Sequence, residues 1–92
     1  MKLVINKEYG GFDLSDEACE MLDCNRYDYD YNRTDEKLIA VVEKLGARAS
    51  TQYSRLVVVE IPDEATDYDI REYDGYESVI YVLDGKIRSE YE

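Results

Sequence analysis

Apolar positions along this chain follow two rhythms. Residues 1–6, MKLVIN, and residues 55–61, RLVVVEI, are short β-branched runs, bounded by a Gly-Gly pair and by Pro62 respectively, which predicts strands. The second run is apolar almost throughout, so it is expected as a central strand covered on both faces rather than an edge. Residues 67–73, DYDIREY, alternate with a period of two, and 76–83, YESVIYVL, follow across the hairpin-forming pair Asp74-Gly75. A second such pair, Asp84-Gly85, turns the chain into a last strand over residues 86–91.

The other rhythm is helical. Ser15 stands as an N-cap before Asp16-Glu17, Leu14 is placed to staple onto Cys19, and Ala18, Met21 and Leu22 share a face, predicting a short helix that ends near Asp23. Leu38, Val41, Val42 and Leu45 predict a longer helix, capped by Thr34 and stopped by Gly46. Between the helices, DCNRYDYDYNR alternates tyrosine with aspartate at 27–31, the period of a short half-exposed strand. These elements add up to one α+β domain over residues 1–92. An N-terminal strand and two helices pack on a mostly antiparallel sheet, with a C-terminal meander that begins at Arg55.

Composition narrows the class of partner more than the chemistry. Ninety-two residues, 45% of them hydrophobic, enclose a core of modest size. Twenty-two acidic residues against eleven basic ones leave a formal charge of -11, which disfavours direct binding to nucleic acid or anionic membrane and favours basic protein surfaces. The acids crowd into residues 13–36, nine against two arginines, and residues 60–77, eight against the single Arg71. No run has a membrane-spanning length or a secretory layout, so a cytoplasmic protein is expected.

Histidine is absent, and Cys19 and Cys24 are expected as free thiols; a bridge between them would need Cys24 to fold back on the end of its helix. Neither cysteine has an obvious base, so nucleophilic catalysis is not expected. Glu72, Asp74 and Glu77 surround a hairpin turn without the alternating ligands of a calcium loop, and no metal or cofactor is expected.

The segments KEYGGFDLSDEA at 7–18, EKLG at 43–46, RLVVVEIP at 55–62 and IREYDGYE at 70–77 resemble a family of short bacteriophage and bacterial proteins to which no function is assigned. The likeness covers roughly residues 1–80, and its most specific parts are the Gly-Gly-Phe and Glu-Tyr-Asp-Gly segments. The chain departs from the pattern at Glu8, where a small residue such as cysteine is commoner, and in the tyrosine-rich stretch 27–31. The resemblance implies no catalytic residue. It implies a setting in which small acidic proteins act on host machinery.

Two candidate sites follow. Tyrosines 27, 29, 31, 68, 73 and 76 lie within or beside acidic runs, a mixture of rigid aromatic anchors and carboxylates suited to arginine-rich grooves, or else to ordinary cross-strand packing. On the first reading the protein is a non-enzymatic inhibitor of a basic, nucleic-acid-binding host protein, anti-phage defence proteins included. Asp28, Tyr29, Asp30, Asp67, Asp69, Glu72 and Asp74 form its face, provided that folding joins the two acidic segments into one patch. The alternative is a small-ligand or nucleotide site at the strand-to-helix junction, with Tyr9, Gly10, Gly11 and Phe12 lining it and Lys7 or Arg71 countering charge. A plain turn is the preferred reading of that junction, because Asp13, Asp16 and Glu17 already occupy the helix start and repel an anion.

Overall fold

Both faces of the first strand are apolar, and the structure uses both. The computed structural model describes residues 1–25 and 29–90. Strand β1 (Lys2–Asn6) pairs antiparallel with β2 (Leu56–Glu60), Leu3 opposite Val59 and Ile5 opposite Val57. Alternation sends Val4, Leu56 and Val58 to one face, where α1 (Asp16–Leu22) and α2 (Glu36–Leu45) cover them with Ala18, Leu38, Val42 and Leu45. Leu3, Ile5, Val57 and Val59 point the other way and pack on Val79 and Tyr81 of a second sheet.

That sheet is the antiparallel meander β3 (Asp67–Tyr73), β4 (Tyr76–Leu83) and β5 (Lys86–Ser89). The result is α+β in three layers: helices, a two-stranded ribbon and a three-stranded sheet. An isolated two-stranded ribbon is marginal in water. This one is held by burial on both sides: Leu3, Val4 and Ile5 have no exposed surface, and each such side chain contributes about 1.5–3 kcal/mol.

The meander therefore does not begin at Arg55. The strand of 55–61 is covered on both faces, as its unbroken apolar run demands, but among the described residues it pairs with β1 alone and is an edge in its ladder. Pro62 is the reason: it ends the ladder and accepts from the Ala65 N–H in a turn that carries the chain into the next layer.

Local corrections have local causes. Asp35, not Thr34, caps α2, its carboxylate accepting the Lys37 N–H at 3.1 Å, because the Thr34 hydroxyl is already turned to Asn32 Oδ1 at 3.0 Å. Gly46 does end the α-helix at positive φ, but the chain continues as a 3₁₀ turn, Gly46–Ala49. Of the strand expected at 27–31, residues 27 and 28 lie outside the described ones, and 29–31 are not strand. Tyr31 takes φ 55° and the Asp30 carboxylate accepts the Asn32 N–H at 3.3 Å, so side chains replace a ladder partner there. The last strand stops at Ser89; residues 91 and 92 are outside the described part.

Ser15 caps α1 as expected, its hydroxyl accepting the Ala18 N–H at 3.1 Å. Cys24 does fold back at the far end, its N–H donating to the Cys19 carbonyl at 3.0 Å, and both cysteines are free thiols. Both Asp-Gly pairs form turns with positive φ at both residues, as tight hairpins require.

The hairpin tips differ in one respect. A Cβ on Gly75 would lie 2.3 Å from the Gly11 nitrogen, whereas one on Gly85 would meet nothing. Gly85→Ala is expected to lower stability by about 1 kcal/mol through backbone strain alone. Gly75→Ala should cost clearly more, because the backbones must also separate; urea denaturation of both variants measures the difference.

Candidate functional site

Strand β1 has a second edge, and no strand covers it among the described residues. Its outward groups are taken by other means. The Val4 N–H donates to the Arg33 carbonyl at 2.9 Å, and the Asn6 N–H donates to Glu77 Oε1 at 2.8 Å. Arg33 meets the same carboxylate with two donors, Nη1 to Oε1 at 2.5 Å and Nη2 to Oε2 at 2.9 Å, while its guanidinium lies 4.0 Å from the centre of the Phe12 ring. The Asn6 side chain completes the joint: its amide donates to the carbonyls of Gly75 and Glu8, and its oxygen accepts the Arg55 N–H. A second buried pair, Lys7 with Glu90, lies nearby. Glu90 Oε2 also accepts the Val79 N–H at 2.7 Å, and Lys7 Nζ stands 5.1 Å from the Tyr76 ring centre.

The glycine junction is thereby accounted for. The position of a Cβ on Gly10 is 2.3 Å from the Tyr53 carbonyl oxygen, and Gly11 lies against Gly75. Backbone of the same chain thus lies against the cradle that a small ligand would use. Tyr9, Gly10 and Gly11 do gather around the hairpin tip, with Tyr9 on Tyr76 at 5.2 Å between ring centres, whereas Phe12 packs against the helical core and meets Tyr31 edge-on at 5.3 Å. Lys7 is buried and ion-paired with Glu90, while Arg71 is exposed on β3 and pairs with Asp69 at 3.4 Å.

Of the residues expected on an acidic face, Asp67, Asp69, Glu72 and Asp74 are all exposed, on β3 and the turn that follows it. Asp30 is exposed on the separate 29–35 segment, and Asp28 lies outside the described residues. The two acidic segments meet through Arg33 and Glu77. Glu72 sits opposite Glu77 in the ladder, so Arg33 also relieves a like-charge pair. Asp69 and Asp67 are three and five ladder positions further along β4, opposite Ile80 and Val82, or about 10 and 17 Å away at strand rise. Asp67 and Asp69 share the outer face of β3 and Glu72 the face of Glu77, so these acids line the strand and do not make one patch across both segments.

The tyrosines divide. Tyr31, Tyr68 and Tyr73 are exposed, Tyr76 is half-buried, and Tyr27 lies outside the described residues. Tyr29 turns inward against the helical core and meets Tyr31 edge-on at 5.5 Å. Its buried hydroxyl makes no well-formed hydrogen bond among the described residues. Burial first, then the nearby Asp35 and Asp30 carboxylates, push its pKa up to about 12.

Sequence reasoning missed two features. Tyr53 is exposed beside the glycine turn, its carbonyl against Gly10. On the outer face of the second sheet, Ile80, Val82 and Ile87 line a shallow cleft bordered by Asp67 and Asp69. The period-two alternation of β4 could have found the latter, since Ile80 and Val82 fall on the face opposite Val79 and Tyr81.

Among the described residues no cluster of His, Cys, Asp or Glu is arranged to hold a metal, and no helix is long and apolar enough to cross a membrane. Comparison of the chain with family models, curated proteins and solved structures gives no match.

Removing Arg33 strands a buried carboxylate, so Arg33→Met is expected to cost about 3 kcal/mol. Adding Glu77→Gln should restore part of that, because the charge disappears while an oxygen still accepts the Asn6 N–H. A double-mutant cycle in urea checks both. For Tyr29 the raised pKa means that the unfolded chain loses its phenolic proton first. Stability from this group is full below pH 10 and falls as pH rises toward 12. Tyr29→Phe should remove that share of the alkaline loss in melting temperature.

Proposed function

We propose that this chain is a non-enzymatic binding protein that inhibits a basic, nucleic-acid-binding protein by occupying its binding surface. One observation carries the reading. Strand β3 ends its sheet with its edge unpaired among the described residues, and presents Asp67, Asp69, Glu72 and, at the turn, Asp74 to solvent beside exposed Tyr68 and Tyr73. Alternate residues on a strand are about 6.7 Å apart, so Asp67 and Asp69 stand as neighbouring carboxylates in a row on the outer face that continues with Arg71 and Tyr73, while Tyr68 and Glu72 lie on the other face of the strand. Exposed tyrosine faces beside it suit arginine side chains.

The lone cation in this row, Arg71, is held by Asp69 on the same strand. The chain's charge of -11 adds a long-range field that steers basic partners in. The resemblance to small bacteriophage proteins extends the proposal to a host partner, anti-phage defence proteins included. In this mechanism fixed carboxylates stand where phosphates would, and the partner cannot hold both.

The test is capture from bacterial lysate on the immobilised protein, followed by competition with duplex DNA. Basic nucleic-acid-binding proteins should be retained at low salt, displaced by DNA, and released by about 0.5 M salt, where the Debye length is a few ångströms. Reversing the row with Asp67→Lys and Asp69→Lys should abolish retention. Retention that ignores both DNA and charge reversal would refute the proposal.

A further inference from the structure

The outer face of the second sheet is built unlike a purely charged surface. Register places Asp67, Val82 and Ile87 side by side, and Asp69, Ile80 and Ser89 in the next row. The inward residues Val79 and Tyr81 are covered by the ribbon, whereas Ile80 and Val82 are half-buried and Ile87 is 74% exposed. Both helices pack on the far side of the ribbon, so neither covers this face. Ile80, Val82 and Ile87 thus form an apolar floor with room for one aliphatic side chain, and two carboxylates stand along its β3 rim.

We propose that this cleft is the specificity pocket of the binding surface: it takes one aliphatic side chain of a partner segment whose flanking lysines or arginines meet Asp67 and Asp69. The inference rests on the proposed function and names what the partner must present. Charge decides the occupant. Stacking a second copy on this face would bring the carboxylates of two chains, each of formal charge -11, toward one another. A basic segment instead neutralises the rim while its aliphatic residue covers the floor. Asp69 is available to such a segment because its pairing with Arg71 joins two exposed side chains and is easily exchanged.

An apolar centre inside a charged rim also gives binding a part that salt does not screen. A surface that only imitated phosphates would lose its affinity uniformly as salt rises. This one retains discrimination between partners that differ in a single apolar residue.

Two synthetic peptides test it, Arg-Lys-Leu-Lys-Arg and Arg-Lys-Ser-Lys-Arg, titrated against the full chain at low and moderate salt by fluorescence anisotropy. The leucine peptide should bind about tenfold more tightly, with that ratio kept as both affinities fall with salt. Ile87→Ser, at an exposed position and checked by thermal melting, should erase the ratio while leaving the serine peptide's affinity unchanged. Asp67→Asn with Asp69→Asn should weaken both peptides alike. Equal binding of the two peptides, or a ratio indifferent to Ile87→Ser, overturns the pocket and leaves the acidic row standing. Failure of both peptides at low salt overturns the pocket together with the proposed function. A dimer of the free chain that Ile87→Ser dissolves would assign the face to a second copy instead.

Discussion

The ion pair between Arg33 and Glu77 holds the architecture together. A two-stranded ribbon leaves backbone donors along its open edge, and burying them without partners would cost more than the ribbon gains. Here a carboxylate from β4 accepts the Asn6 N–H, a carbonyl from the loop before α2 accepts the Val4 N–H, and the guanidinium locks the two suppliers together. Withdrawing both charges from water is costly, and the convergence of hydrogen bonds on Glu77 offsets it. One pair thereby fixes three things: the position of the second sheet, the loop entering α2, and the Phe12 ring beneath Arg33.

The same arrangement shapes the electrostatics of the surface. Arg33 and Lys7, two of eleven basic side chains, are spent inside the fold on Glu77 and Glu90. An equal number of acids goes with them, so the net charge is unchanged while the balance left outside is more lopsided. β3 carries part of that imbalance on an exposed edge strand. Its charged side chains discourage pairing with another copy of the same edge, which is how natural sheets protect an open strand. A device that prevents self-association thus doubles as an attractor for surfaces of opposite sign.

Legibility from sequence followed distance along the chain. Both Asp-Gly hairpins, the Ser15 cap and the apolar face of α2 obey rules that operate within a few residues, and each stands where those rules put it. The exposed acids of β3 were equally readable, since a strand run whose only aliphatic residue is Ile70 leaves little to bury. Tyr29 was not: its neighbours Asp30 and Tyr31 are exposed, and only its contact with the helical core turns it inward. The glycine junction was readable as a corner, but its packing against Tyr53 and Gly75 joins residues far apart in sequence.

Taken alone, the order of residues determined most of the elements, the Ser15 cap, both Asp-Gly turns, the α+β class and the acidic character of the chain, because these arise from local stereochemistry and from summed charge. Only the tertiary structure decided that β2 pairs with β1 and not with the meander, that Arg33 and Glu77 close the open edge, and that Ile80, Val82 and Ile87 are left facing outward. Those outcomes depend on which of several apolar faces meet. A face is marked by the periodicity of one segment, whereas its partner is chosen by the fit of the whole chain.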